Sequence, residues 1–102
     1  MKRCYVLAPE AALDLLEIWK YLKNGAGIQV ADRVESVIRE KIVYLAENTE
    51  AGHSRKDLTD EQVKFVSVYS YLIVYRPGTK PLQVVAILHG HRDVEQILRD
   101  RQ

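Results

Sequence analysis

The sequence predicts an α+β domain: a helical hairpin packed on one face of a mostly antiparallel sheet, in the order β-α-α-β-β-β-(short α). Three observations lead there. Residues 9–47 carry apolar side chains at helical spacing with one glycine-containing break. Residues 63–88 hold three runs rich in Val, Ile, Tyr and Phe, separated by turn residues. Finally, 102 residues suffice for one hydrophobic core and are too few for two, so residues 1–102 read as a single domain.

Cys4-Tyr-Val-Leu-Ala8 is a short apolar run that reads as the first strand. Pro9 opens the first helix from its first position, where a missing N–H costs nothing, although Ala8 is a poor cap. Ala12, Leu15, Leu16, Trp19 and Leu22 form its apolar stripe, with Glu10, Asp14, Glu17 and Tyr21 on the other side. Trp19 is expected in the core or at a helix–sheet seam. Gly25 and Gly27 end this helix, and a connection over residues 24–28 returns the chain as an antiparallel neighbour. The second helix runs from about Gln29 to Glu47 on a stripe of Val30, Val34, Ile38, Ile42 and Leu45, with Glu35 and Arg39 paired one turn apart.

Asn48 to Glu61 is a polar loop, long enough to raise a functional question. Strands follow at Val63–Tyr69, Tyr71–Arg76 and Leu82–Leu88, the last two joined through Pro77, Gly78 and Pro81 as an antiparallel hairpin. Asp93 to Arg101 reads as a short helix with Val94, Ile97 and Leu98 on one face. Simple alternation puts Leu82, Val84, Ala86 and Leu88 on one side of the last strand and Val85, Ile87 and His89 on the other. Both sides are apolar, whereas a sheet with one wet face alternates with polar residues. Two long helices cover one face only, so the second face is expected to need the terminal segment together with a partner chain.

Lys and Arg total 15 against 14 Asp and Glu, a net charge of +1 that excludes a polybasic nucleic-acid or membrane binder. A single cysteine, Cys4, excludes an internal disulfide and a multi-cysteine zinc site. The apolar run after Lys2 and Arg3 stops at Pro9, too short for a signal or membrane-spanning segment, so a soluble cytoplasmic protein is expected.

The densest chemistry is His89-Gly-His-Arg-Asp93, where the last strand ends. His89 and His91 could serve as general acid and base with Arg92 on a phosphate; the structural alternative is a capped apolar face and a helix-start ion pair. Gly52-His-Ser-Arg55-Lys could grip phosphate or be a solvated loop. Arg76 could reach the same sheet end as His89 or a partner carboxylate, or simply face water. Tyr69, Tyr71 and Tyr75 could stack on bases or pack across strands. His89 and His91 could also ligate a metal, but no Asp, Glu or Cys set at fitting spacing joins them, and no Gly-rich nucleotide loop, Ser-His-Asp order or zinc signature is present.

In order along the chain stand Tyr5-Val-Leu-Ala-Pro-Glu-Ala, Asp14-Leu-Leu-Glu-Ile-Trp-Lys-Tyr21, Leu45-Ala-Glu-Asn48 with Gly52, Tyr71-Leu-Ile-Val-Tyr-Arg76 and Ile87-Leu-His-Gly-His-Arg-Asp93. In these the chain resembles the ParE toxins of the RelE/ParE toxin–antitoxin superfamily. It departs from them at Ala8, where Ser or Thr is common, and at Thr49, where Pro is common. The resemblance implies the toxin of a type II system of the plasmid-stabilisation kind. Such a toxin inhibits DNA gyrase by binding, without a cofactor, and is neutralised by a ParD-like ribbon-helix-helix antitoxin. On that basis His89, Arg92, Asp93, Arg99 and Arg101 are the expected target-binding residues, and Tyr71, Tyr75 and Arg76 the expected antitoxin contacts. No sequence-specific nucleic-acid binding is expected. RelE relatives instead cut messenger RNA on the ribosome. In that alternative His89, His91, Arg92, Arg76 and Arg55 would be catalytic, but Lys64 is the one cation in residues 64–69, too few to stabilise a phosphorane.

Overall fold

Pro9 and Gly27 punctuate the first half of the chain. The computed structural model describes residues 4–90 and 92–101. It places β1 at Tyr5–Leu7, α1 at Pro9–Ala26, α2 at Ile28–Glu47, β2 at Lys64–Val68, β3 at Tyr71–Arg76, β4 at Leu82–His89 and α3 at Val94–Asp100. Pro9 is the first residue of α1, and Ala8 makes no side-chain cap. The expected five-residue connection between the helices is corrected to one residue. Gly27, at φ +97°, caps α1 through its N–H to the Lys23 carbonyl and immediately precedes α2. That backbone sign favours glycine, whereas Gly25 is tolerated inside the last turn of α1 at a cost of about 1 kcal/mol.

The sheet has the order β1-β4-β3-β2. β1 runs parallel to β4, and the β4–β3 and β3–β2 pairs are antiparallel. Between Val74↔Ala86 and Tyr75↔Val84 the register skips Val85. This bulge reverses the parity of β4, which corrects the simple alternation read from sequence. Leu82, Val84 and Ile87 face the helical hairpin with Tyr71, Ile73 and Tyr75, and meet Ala11, Leu15, Ile38, Ile42 and Leu45. Ala86 and Leu88 face the other way with Val74 and Phe65.

That second face is sealed by the chain itself. Val94 and Leu98 of α3 cover it, Val63 closes the loop side, and Leu58 and Ile97 pack half-buried around them. The expectation that this face needs a partner chain is therefore overturned. A two-turn helix suffices because Val94 and Leu98, one turn apart, both land on the narrow strip formed by three strands.

The stripe of α1 is also corrected. Ala11, Asp14 and Leu15 point inward, while Leu13 and Leu16 are 58% and 45% exposed and Ala12 lies outside. Apolar residues span most of that helix's circumference, so spacing alone did not select the buried direction. Likewise Ala31, not Val30, begins the buried stripe of α2. Trp19 sits half-buried at the helix–helix seam, its indole N–H donating to Asp32 at 2.8 Å. The Glu35–Arg39 pair forms at 3.4 Å, and Arg39 also donates to the Tyr5 hydroxyl.

Candidate functional site

β1 ends opposite Val84, so from Val85 onward β4 has no strand on that side. α1 runs beside this open edge, and the Asp14 carboxylate accepts the Ile87 N–H at 3.0 Å in place of a strand carbonyl. The strand then runs on to His89, where Gly90 N–H bonds Ser70 O at 2.7 Å. A cavity of about 250 Å³ opens here. One wall is Asp14, Glu17, Ile18 and Tyr21 of α1; the other is Tyr71, Ile87, His89 and Arg92. The His89 imidazole stands edge-on to the Tyr71 ring, 5.4 Å between centroids and 87° between planes. Burial pushes the Tyr71 phenol upward, and the nearby Tyr21 phenol adds to the shift. Exposed Tyr69, at φ +54° in the turn between β2 and β3, stands at the same end of the sheet.

Asp14 is the one buried charged side chain among the described residues, at 9% exposure. Both of its oxygens meet Arg101, Oδ2 to Nη1 and Oδ1 to Nη2, each at 2.8 Å. Arg101 Nε also reaches Glu10 at 3.0 Å. The Asp14 hydrogen bonds hold the Arg101 guanidinium above its ordinary pKa, against an opposing effect of burial. Sequence reasoning placed Asp14 on the outer side of α1 and so missed it. A usable signal existed: Arg99 has Glu95 four residues back, whereas Arg101 has Ile97 there and no acid to pair with locally.

The remaining site expectations scatter. His89 and Arg92 line one cleft with Tyr71, while His91 lies outside the described residues. Asp93 caps α3, its carboxylate accepting the Gln96 N–H at 3.1 Å. Arg99 pairs with Glu95 at 2.8 Å and borders a different, largely acidic depression that includes Asp57, Asp60 and Glu61. Tyr75 has no exposed surface to offer a partner. Its hydroxyl donates to Thr49 O at 2.8 Å and accepts from Gly52 N–H at 2.9 Å, pinning the start of the long loop.

Arg76 pairs in register with Gln83, while Tyr71 pairs with His89. The two ends of β3 are separated by about 17 Å at strand rise, so Arg76 does not reach the sheet end that carries His89, which corrects that expectation. Arg55 is taken up by Asp57, with two contacts at 3.0 and 2.8 Å, and the Asp57 carboxyl is held below its ordinary range by the Arg55 hydrogen bonds. Of the four described side chains of the nuclease alternative, His89 and Arg92 share the cleft, whereas Arg76 lies at the other end of β3 and Arg55 is paired with Asp57. No group of three or more His, Cys, Asp or Glu among the described residues forms a metal-binding cluster.

A family profile described as the ParE toxin of the type II toxin–antitoxin system parDE matches residues 5–94, from the first strand to the start of α3. The chain belongs to the ParE toxin family. The same arrangement of helices and sheet occurs in a solved structure of the chromosomal ParDE toxin–antitoxin system from P. aeruginosa. The TM-score is 0.71 at 20% identity, over 83% of this chain and 92% of that one. At that identity the likeness speaks for the fold. A search of curated proteins returns no match. In this ParE-family toxin, no helix among the described residues is long and apolar enough to cross a membrane.

Proposed function

We propose that this ParE-family toxin acts in the cytoplasm by docking on DNA gyrase, with the cleft at the end of β4 as its working end, and that a ParD-like ribbon-helix-helix antitoxin neutralises it. The observation that carries the reading is the convergence of His89, Arg92 and Tyr71 on one concave surface. That surface combines aromatic rings with a guanidinium, chemistry suited to a protein hot spot. Catalysis by the chain itself is not required. A phosphodiester-cleaving centre needs cations gathered around the reacting phosphate, and Arg76 and Arg55 are held elsewhere.

The test is purified toxin with gyrase and supercoiled plasmid. Stoichiometric toxin is expected to inhibit supercoiling or trap cleaved DNA, and the antitoxin to reverse it. His89→Ala and Arg92→Ala should each weaken inhibition by roughly thirtyfold, the loss of a hot-spot side chain, while Arg76→Ala should not. Full gyrase activity in the presence of excess toxin, or new messenger RNA ends in cells expressing it, would overturn the reading.

A further inference from the structure

We propose that Asp14 and Arg101 are positioning residues for the β4-end cleft: their contact ties α3 to the open edge of β4 and fixes the strand end that carries His89 and Arg92. The proposal rests on the docking reading only in taking that cleft as the working end.

α3 packs on the sheet face opposite the helical hairpin, yet Arg101, just past its end, reaches Asp14 on α1. The guanidinium therefore crosses the edge of the sheet where β4 lacks a strand neighbour. There the Asp14 carboxylate is shared among three donors: Ile87 N–H and two guanidinium nitrogens. Ile87 is two residues before His89, and α3 begins two residues after Arg92. The segment between is thus anchored on one side by Asp14 directly and on the other through α3. A helix of seven residues has little stability of its own, so its placement depends on Val94, Leu98 and this clasp.

Energetics point the same way. A buried ion pair contributes little net stability relative to apolar replacements, while loss of one partner strands the other. What such a pair adds here is a defined geometry. Both carboxylate oxygens are met in the planar two-pronged manner that Arg supports and Lys does not. Arg101, which the sequence resemblance cast as a target contact, is turned inward, and it acts on the cleft through Asp14 and Ile87.

The full-length toxin carrying Arg101→Ala, Arg101→Lys or Asp14→Asn is compared with wild type by amide exchange and by gyrase inhibition. Ile42→Val, in the helical-side core, supplies a variant of lowered melting temperature with the clasp intact. In Arg101→Ala the Ile87 amide is expected to exchange roughly tenfold to a hundredfold faster. The resonances of His89 and Arg92 should shift, and inhibition should fall in parallel. Ethylguanidinium should partly restore all three, and Arg101→Lys should lie between; if Arg101→Ala does not fold, Arg101→Lys and Asp14→Asn carry the comparison. Ile42→Val should leave the resonances and the inhibition unchanged.

Unaltered Ile87 exchange in every clasp variant would overturn the proposal. So would inhibition lost with Ile87, His89 and Arg92 unperturbed, which would make Asp14 or Arg101 a direct contact. Faster exchange and shifted resonances in a toxin that leaves wild-type gyrase untouched would support the clasp and sink the docking reading alone.

Discussion

Tyr75→Phe removes one oxygen from the centre of the molecule and leaves the ring. The native hydroxyl donates to Thr49 O and accepts from Gly52 N–H at 2.8 and 2.9 Å, and the residue is 0% exposed. Without it, the buried Gly52 N–H loses its acceptor, at a cost of about 1–3 kcal/mol, and the half-buried Thr49 carbonyl loses a bond of about 1 kcal/mol net. The expected loss is about 2–4 kcal/mol out of the ~5–15 kcal/mol of a typical domain. That corresponds to a fall in melting temperature of roughly 8–30 °C for a chain of this size.

Urea unfolding followed by Trp19 fluorescence measures it, with the midpoint lowered and the slope unchanged. The pH profile gives an independent signature. Burial pushes the Tyr75 phenol above its ordinary value, opposed by the Gly52 N–H and reinforced by the charge of Glu50. A raised folded-state pKa gives stability that is complete below the unfolded value of about 10 and is lost as pH rises through the folded value. The alkaline limb of the stability profile should therefore be steeper in wild type than in Tyr75→Phe. A change below about 0.5 kcal/mol, the ordinary scale for a surface substitution, would refute the role given to this hydroxyl.

Two further substitutions probe the packing on the two sides of the sheet. Gly52→Ala would place a Cβ 2.5 Å from Tyr75 Oη and 2.9 Å from Tyr75 Cε1. Thermal melts should show a loss of about 1–3 kcal/mol for this overpacking, with no relief from a larger residue. Leu98→Ala uncovers Val74, Ala86 and Leu88 on the second sheet face and should cost about 2–5 kcal/mol by urea unfolding. It should also raise binding of an apolar dye, and a dye signal equal to wild type would mean that α3 is not the cover.

Much of the architecture was readable in advance, and for identifiable reasons. The runs Tyr71–Arg76 and Leu82–His89 are rich in β-branched and aromatic residues and bounded by Pro and Gly, so strand type and order followed from local chemistry. The α2 core residues Ile38, Ile42 and Leu45 recur at helical spacing beside a polar face, which fixed that stripe. The convergence of His89 with Arg92 was legible because both sit at one strand end, close in sequence. Arg76 was misplaced because its distance from His89 depends on antiparallel register, which pairs Arg76 with Gln83.

The order of helices and strands, their approximate bounds and the nearness of His89 to Arg92 were set by sequence alone, because each depends on side chains within a few residues of one another. Tertiary structure decided the rest. The bulge at Val85 assigned Ala86 and Leu88 to the second face, and α3 then sealed that face without a partner. It also turned Asp14 inward, where a carboxylate is tolerable because Arg101, distant in sequence, arrives to neutralise it. Such choices depend on which surfaces and charges meet across the fold, and periodicity along one element carries no information about its neighbours.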